Sequence, residues 1–257
     1  MLLYFSIAGL ILSGILLYFN ARKFRSIIYL GLFYSFVSLY GLSQYILLFS
    51  KSVLLVSSFF VNTAFLFYLI GPMLYLYVRS TLDDNSRLKK SDFWHLIPSL
   101  VYISAAVPYF FTSWSYKVGI ASSIVNDAGF LGTFKATVLS EIFSNLTLYL
   151  SRPLLVCGYT VWAFAIFIRY IRQQKNLRVL SGQFFMIRWL SVFLGFQIIL
   201  ITSHLCAIFV TFTGSSDVFF GINPIQAMSA LGMCGLLVSP FFFPGILYGL
   251  PRVPDHI

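Results

Sequence analysis

Apolar residues run in seven long blocks along this chain, and short polar stretches between them hold most of the charge. The blocks cover Leu2–Phe19, Ile27–Phe49, Val53–Val78, Leu96–Trp114, Pro153–Ile168, Trp189–Thr213 and Ile225–Tyr248. An apolar helix needs about 20 residues to cross the ~30 Å hydrocarbon layer of a bilayer. Lipid offers no hydrogen bonds to the backbone, so a segment of this kind satisfies itself by forming a helix. The pattern predicts an all-α, polytopic membrane protein of seven transmembrane helices. Residues 1–250 would form the transmembrane domain and 251–257 the start of a cytoplasmic linker.

Composition strengthens this reading. Of the 257 residues, 59% are hydrophobic and 9% charged, with a mean hydropathy of +0.89. Soluble domains carry about 45–50% apolar and about 25% charged residues. A water-soluble core cannot hide such an excess, whereas lipid can. The first block is not a cleaved signal peptide: no Lys or Arg precedes it, while Arg22, Lys23 and Arg25 follow it.

The formal charge of +10 invites a nucleic-acid reading, but the placement of the charges predicts no direct nucleic-acid contact by this segment. Basic residues cluster between apolar blocks, as they do in cytoplasmic loops facing anionic headgroups. Arg22, Lys23 and Arg25 fill the first loop; Arg79, Arg87, Lys89 and Lys90 the third; Arg169, Arg172, Lys175, Arg178 and Arg188 the fifth; Arg252 lies in the tail. The alternate loops hold Lys51, Lys117 and Lys135. Thirteen against three, with Arg152 at a span edge left aside, places the amino terminus outside and the carboxyl terminus in the cytoplasm.

The longest connection, residues 115–152, would lie outside. Its stretch Thr133–Leu150 spaces Phe134, Val138, Leu139, Ile142, Phe143 and Leu146 helically. Two readings stay open for it: an interfacial helix folding over the outer mouth, or an amphipathic connector. Small residues supply close-packing faces, Gly9 with Ser13 on the first span and Ser229, Gly232, Gly235 and Ser239 on the seventh. Pro72, Pro108, Pro240 and Pro244 fall in or near spans and remove backbone donors there. Pro240 and Pro244 are candidates for a bend coupling ligand binding to the cytoplasmic end, against the alternative of a fixed kink.

Polar side chains at membrane depth carry a free-energy cost and mark candidate sites. Gln44, Asn62, Arg152, His204 and Gln226 come from spans two, three, five, six and seven, all in the outer half. Pointing inward, they would line a pocket open to the outside, with Arg152 the natural partner of an anionic ligand. Each also has a plainer reading: Arg152 snorkelling beside Pro153, and the others as interhelical hydrogen-bonding groups.

Other chemistries lack their residues. Span seven has no lysine for a Schiff base. His95, His204 and His256, like Cys157, Cys206 and Cys234, show no metal-ligand spacing. The carboxylates fall in loops or the tail, and neither a phosphate-binding glycine loop nor a nucleophile elbow occurs. No catalytic residue, metal or cofactor is predicted, and the chain is not expected to be an enzyme.

Three stretches carry a family resemblance: Gly71-Pro72-Met73-Leu74-Tyr75-Leu76-Tyr77-Val78-Arg79-Ser80, Phe93-Trp94-His95-Leu96-Ile97-Pro98, and Phe242-Phe243-Pro244-Gly245-Ile246-Leu247-Tyr248-Gly249-Leu250-Pro251. Together with the span spacing, they resemble the membrane-embedded amino-terminal region of Bacteroidetes-type AraC/XylS-family transcription regulators. That resemblance implies a bacterial inner membrane and a sensory role. It also implies a cytoplasmic helix-turn-helix output domain, which is expected to be missing here because the sequence stops at Pro254-Asp255-His256-Ile257. Expected partners are membrane lipids, a small-molecule ligand and a second copy in a homodimer. The rival expectations are a small transporter or channel, and a membrane assembly partner without catalysis.

Overall fold

The computed structural model describes residues 2–20, 25–83, 88–127, 129–174, 181–213, 224–243 and 245; within its helices, the side chains of 174, 181–183, 207–213, 224 and 226 fall outside the described set. Helices account for nearly all of it, and no strand occurs among the described residues. They are α1 (Leu2–Ile15), α2 (Arg25–Phe49), α3 (Val53–Phe59), α4 (Ile70–Leu82), α5 (Ile97–Phe110), α6 (Trp114–Asn126), α7 (Phe130–Thr133), α8 (Val138–Ile142), α9 (Asn145–Gln174), α10 (Ser181–Thr213) and α11 (Pro224–Phe242). A π-helical turn, Leu16–Asn20, extends α1, and 3₁₀ segments Ala64–Leu69 and Lys90–Leu96 lead into α4 and α5.

Among the described residues, six helical stretches are long and apolar enough to cross a membrane: Leu2–Asn20, Arg25–Phe49, Ala64–Leu82, Lys90–Phe110, Asn145–Gln173 and Phe184–Cys206. The seventh expected span differs. Its apolar helix covers Ala227–Phe242, 16 residues and so roughly 24 Å at 1.5 Å per residue. Pro244 and residues 246–257, including the expected linker, lie outside the described residues.

The third span departs most from expectation. Val53–Val78 does not form one helix. Ser52 caps α3, and the chain breaks after Phe59 where Val61 adopts φ 62°. A β-branched residue is rarely found in that left-handed region. Asn62 compensates locally, its Nδ2 donating to the carbonyls of Ser57 (3.3 Å) and Ser58 (3.0 Å) at the end of α3. The chain then re-enters the bundle through the 3₁₀ segment and α4.

The expected helix over Thr133–Leu150 is likewise divided. Residues 134–137 are extended or bent, α8 occupies Val138–Ile142, and α9 begins at Asn145, eight residues before the expected Pro153. Pro153 sits inside α9. The short helices gather into a cap at one end of the bundle, with α3 packed on α6 and α8 on α5.

Close packing of the long helices follows from their small residues. A Cβ on Gly9 would collide with Ser38 Oγ, and one on Gly232 would come within 3.0 Å of the Leu200 backbone. Ser13 Oγ donates to the Gly31 carbonyl at 2.7 Å, and Ser229 Oγ to Ser203 Oγ at 2.9 Å. Pro240 lies within α11 and is buried. At the level of these contacts the centre is filled by Phe33, Tyr34, Tyr77, Trp189 and Phe193, each under 2% exposed. Trp189 Nε1 donates to the Tyr77 hydroxyl (2.6 Å) and the Tyr34 hydroxyl to the Leu236 carbonyl (2.6 Å). Those bonds tie α2, α4, α10 and α11 around one aromatic centre, as buried Trp and Tyr polar atoms require.

Candidate ligand site

Arg152 lies two turns into α9, about 10 Å from its first residue at 1.5 Å per residue. Its guanidinium carbon faces four rings: Tyr149 at 5.3 Å, Tyr102 at 5.5 Å, and Phe67 and Tyr68 at 5.9 Å. Tyr149 stands one turn earlier on the same helix, the spacing at which helical side chains meet. Phe67 and Tyr68 arrive on the 3₁₀ segment created by the break in the third span, and Tyr102 on α5. Aromatic faces attract a cation through their quadrupoles. Ring faces accept no strong hydrogen bond; the Tyr102 side chain is a hydrogen-bond partner of Arg152, but Arg152 Nε is buried with no partner.

Beside this guanidinium lies a cavity of about 50 Å³. Ser43 and Gln44 of α2, Thr63 and Phe67 of the broken span, Tyr102, and Ala136, Thr137 and Ser140 of the cap line it together with Arg152. Asn145 fixes the cap above it, its Nδ2 donating to the carbonyls of Leu131 (3.1 Å), Gly132 (2.9 Å) and Phe134 (3.0 Å). Thr137 and Ser140 cap α8 reciprocally, Ser140 Oγ accepting from Thr137 N at 3.0 Å and Thr137 Oγ1 from Ser140 N at 3.3 Å. The cap therefore meets the cavity with its own polar groups already engaged.

The five residues expected to form one pocket are divided by the structure. Gln44 and Arg152 line the same cavity. His204 joins the margin of this cluster, with its Nε2 hydrogen-bonded to the Tyr40 hydroxyl and its ring 5.0 Å from that of Tyr40, which in turn packs edge-on to Phe67 at 4.6 Å. Asn62 is occupied closing the end of α3. The side chain of Gln226 lies outside the described residues, so its place in the site is not among these contacts.

A second charged site, unforeseen in the sequence, stands at the opposite, basic end. Arg79 makes a bidentate ion pair with Asp92, Nη1 to Oδ1 at 2.5 Å and Nη2 to Oδ2 at 2.7 Å, and both residues are buried. The Lys89 amide donates to Asp92 Oδ2 at 2.7 Å. Arg79 belongs to the last turn of α4, not to a loop, and Asp92 to the 3₁₀ turn before α5. His95 extends this end, its Nδ1 bonded to the Tyr159 hydroxyl at 2.8 Å among Tyr75 and Trp162. Pro98 occupies the first turn of α5.

Among the described residues no group of three or more His, Cys, Asp or Glu could hold a metal ion. Compared with known proteins, the chain matches no family model, no curated sequence and no solved structure.

Proposed function

We propose that this chain is the membrane-embedded input module of an AraC-type regulator in a bacterial inner membrane. In this reading it has seven spans, its amino end outside and its carboxyl end in the cytoplasm. The thirteen-to-three distribution of basic residues supports that direction. It puts the cap outside and the Arg79–Asp92 pair at the cytoplasmic face. A small ligand arriving from outside would enter beneath the cap and change how α2, α4, α9 and α10 pack. The change would reach the inner end of α11 through the aromatic centre that ties these helices together. A ligand shifts such an equilibrium only by binding one packing better than the other.

The observation that carries the reading is the cavity at Arg152, a half-buried cation whose Nε is buried and which has no carboxylate partner among the described residues. The filled aromatic centre weighs against a transporter or channel: Trp189, Tyr77, Tyr34, Phe33 and Phe193 occupy the path between the cavity and the basic end. Spin labels on the inner ends of α9 and α11, read in liposomes with and without a saturating cavity ligand, test the proposal. A ligand-dependent change in the distance distribution is expected. An unchanged distribution, or solute flux through the same liposomes, would overturn it.

A further inference from the structure

We propose that the cavity beside Arg152 binds a short-chain monocarboxylate, of the size of acetate or propionate. The proposal deepens the input reading by naming the chemistry of the ligand.

Charge sets the first condition. Arg152 is the one charged residue lining the cavity, and no carboxylate pairs with it among the described residues. A single negative charge balances a single guanidinium. A dianion such as sulfate would need further cations or a concave run of backbone amides. Geometry sets the second condition. Guanidinium is a planar fork that matches the two oxygens of a carboxylate. Its Nε is enclosed without an acceptor. Buried donors are almost always satisfied, so an orphan of this kind calls for a missing acceptor.

Size is the third condition. A water needs about 10–15 Å³ of such space, so the ~50 Å³ cavity holds a ligand of about four or five heavy atoms. The rest of the lining is mixed: Ser43, Gln44, Thr63, Thr137 and Ser140 add polar groups, and Phe60, Phe67 and Phe134 add apolar faces for one or two carbons. Chloride would use the guanidinium and leave the apolar wall without a function. The added carbons of hexanoate would have to lie outside this volume, without the contacts that hold the shorter chains.

The test uses the purified 257-residue chain in detergent micelles at constant ionic strength. Sodium acetate, propionate, hexanoate and chloride are each titrated, read by saturation-transfer NMR for the organic anions and by thermal unfolding for all four. Acetate and propionate should bind saturably and raise the unfolding temperature. Arg152→Gln should weaken acetate binding at least tenfold. Ala136→Leu, which fills the cavity from the cap and leaves the charge in place, should do the same and guards against a misfolded Arg152 variant. Absence of saturable acetate binding to the parent chain would overturn the proposal, as would equal effects of chloride or equal binding of hexanoate. Acetate binding without movement of the α9 and α11 inner ends would uphold this site and sink the input role alone.

Discussion

Arg79 and Arg152 each sit on a long apolar helix, near opposite ends of the same bundle. Arg79 is met by a carboxylate with two parallel hydrogen bonds, and that carboxylate is fixed by the Lys89 amide. Arg152 is met by four rings and a cavity. A buried charge is costly unless it is paired and hydrogen-bonded. The first arginine meets that demand within the protein, so it can hold α4 to the start of α5 but has little left for a ligand. The second meets it only in part. The comparison teaches that an arginine within a span is not in itself a site; what identifies one is the unmet part of its hydrogen bonding.

Breaking the satisfied site should have the largest effect on stability. Asp92→Ala leaves Arg79 buried and unpaired, and a loss of about 3–5 kcal/mol is expected. Denaturant unfolding in micelles measures it, and the double variant Arg79→Met with Asp92→Leu should recover most of the loss. A loss below about 1 kcal/mol for Asp92→Ala would mean that water already reaches the pair.

The cap anchor comes next. Asn145→Ala removes a donor shared among three carbonyls, with an expected cost of about 1–3 kcal/mol. The loss should be local, so amide hydrogen exchange in residues 131–136 should quicken while the end at Arg79 stays protected. Arg152→Met should cost less, because it gives up cation–π attraction of at most about 2 kcal/mol and relieves a desolvated charge. An Arg152→Met loss as large as that of Asp92→Ala would erase the distinction between the two arginines. Smallest of all, Tyr40→Phe removes the partner of His204 and should cost about 0.6 kcal/mol, typical of an interhelical hydrogen bond in lipid.

Much of the bundle was legible in the sequence because lipid demands uninterrupted apolar length, and five of the seven blocks meet that demand as single long helices while the seventh is shorter. The third block shows where the rule fails. Its run of apolar residues continues through Phe60 and Val61, so nothing in the hydropathy pattern marks the break, which is carried by the positive φ at Val61 and the local Asn62 bonds to the end of α3. That break turned Asn62 from a pocket residue into a helix terminator and brought Phe67 to face Arg152. Gln44 and Arg152 were among the five residues named for one pocket because each is polar and near the same end of its span. The tyrosines around Arg152 were not, since tyrosine is ordinary in membrane helices; the Tyr149 to Arg152 spacing was the available signal. Arg79 escaped notice because it was counted with the loop that follows it, although Lys89 and Asp92, three residues apart, outline the turn that captures it.

The most direct test of the contrast between the two ends is chemical access to the cavity itself. Ala136→Cys, in a background with Cys157, Cys206 and Cys234 replaced by Ala, would be treated with a membrane-impermeant maleimide on intact spheroplasts. Labelling from outside that acetate slows in a saturable way, and that Arg152→Gln renders insensitive to acetate, is the predicted result. Labelling only after the membrane is opened, or labelling from outside that acetate leaves unchanged, would contradict an externally accessible ligand site at Arg152.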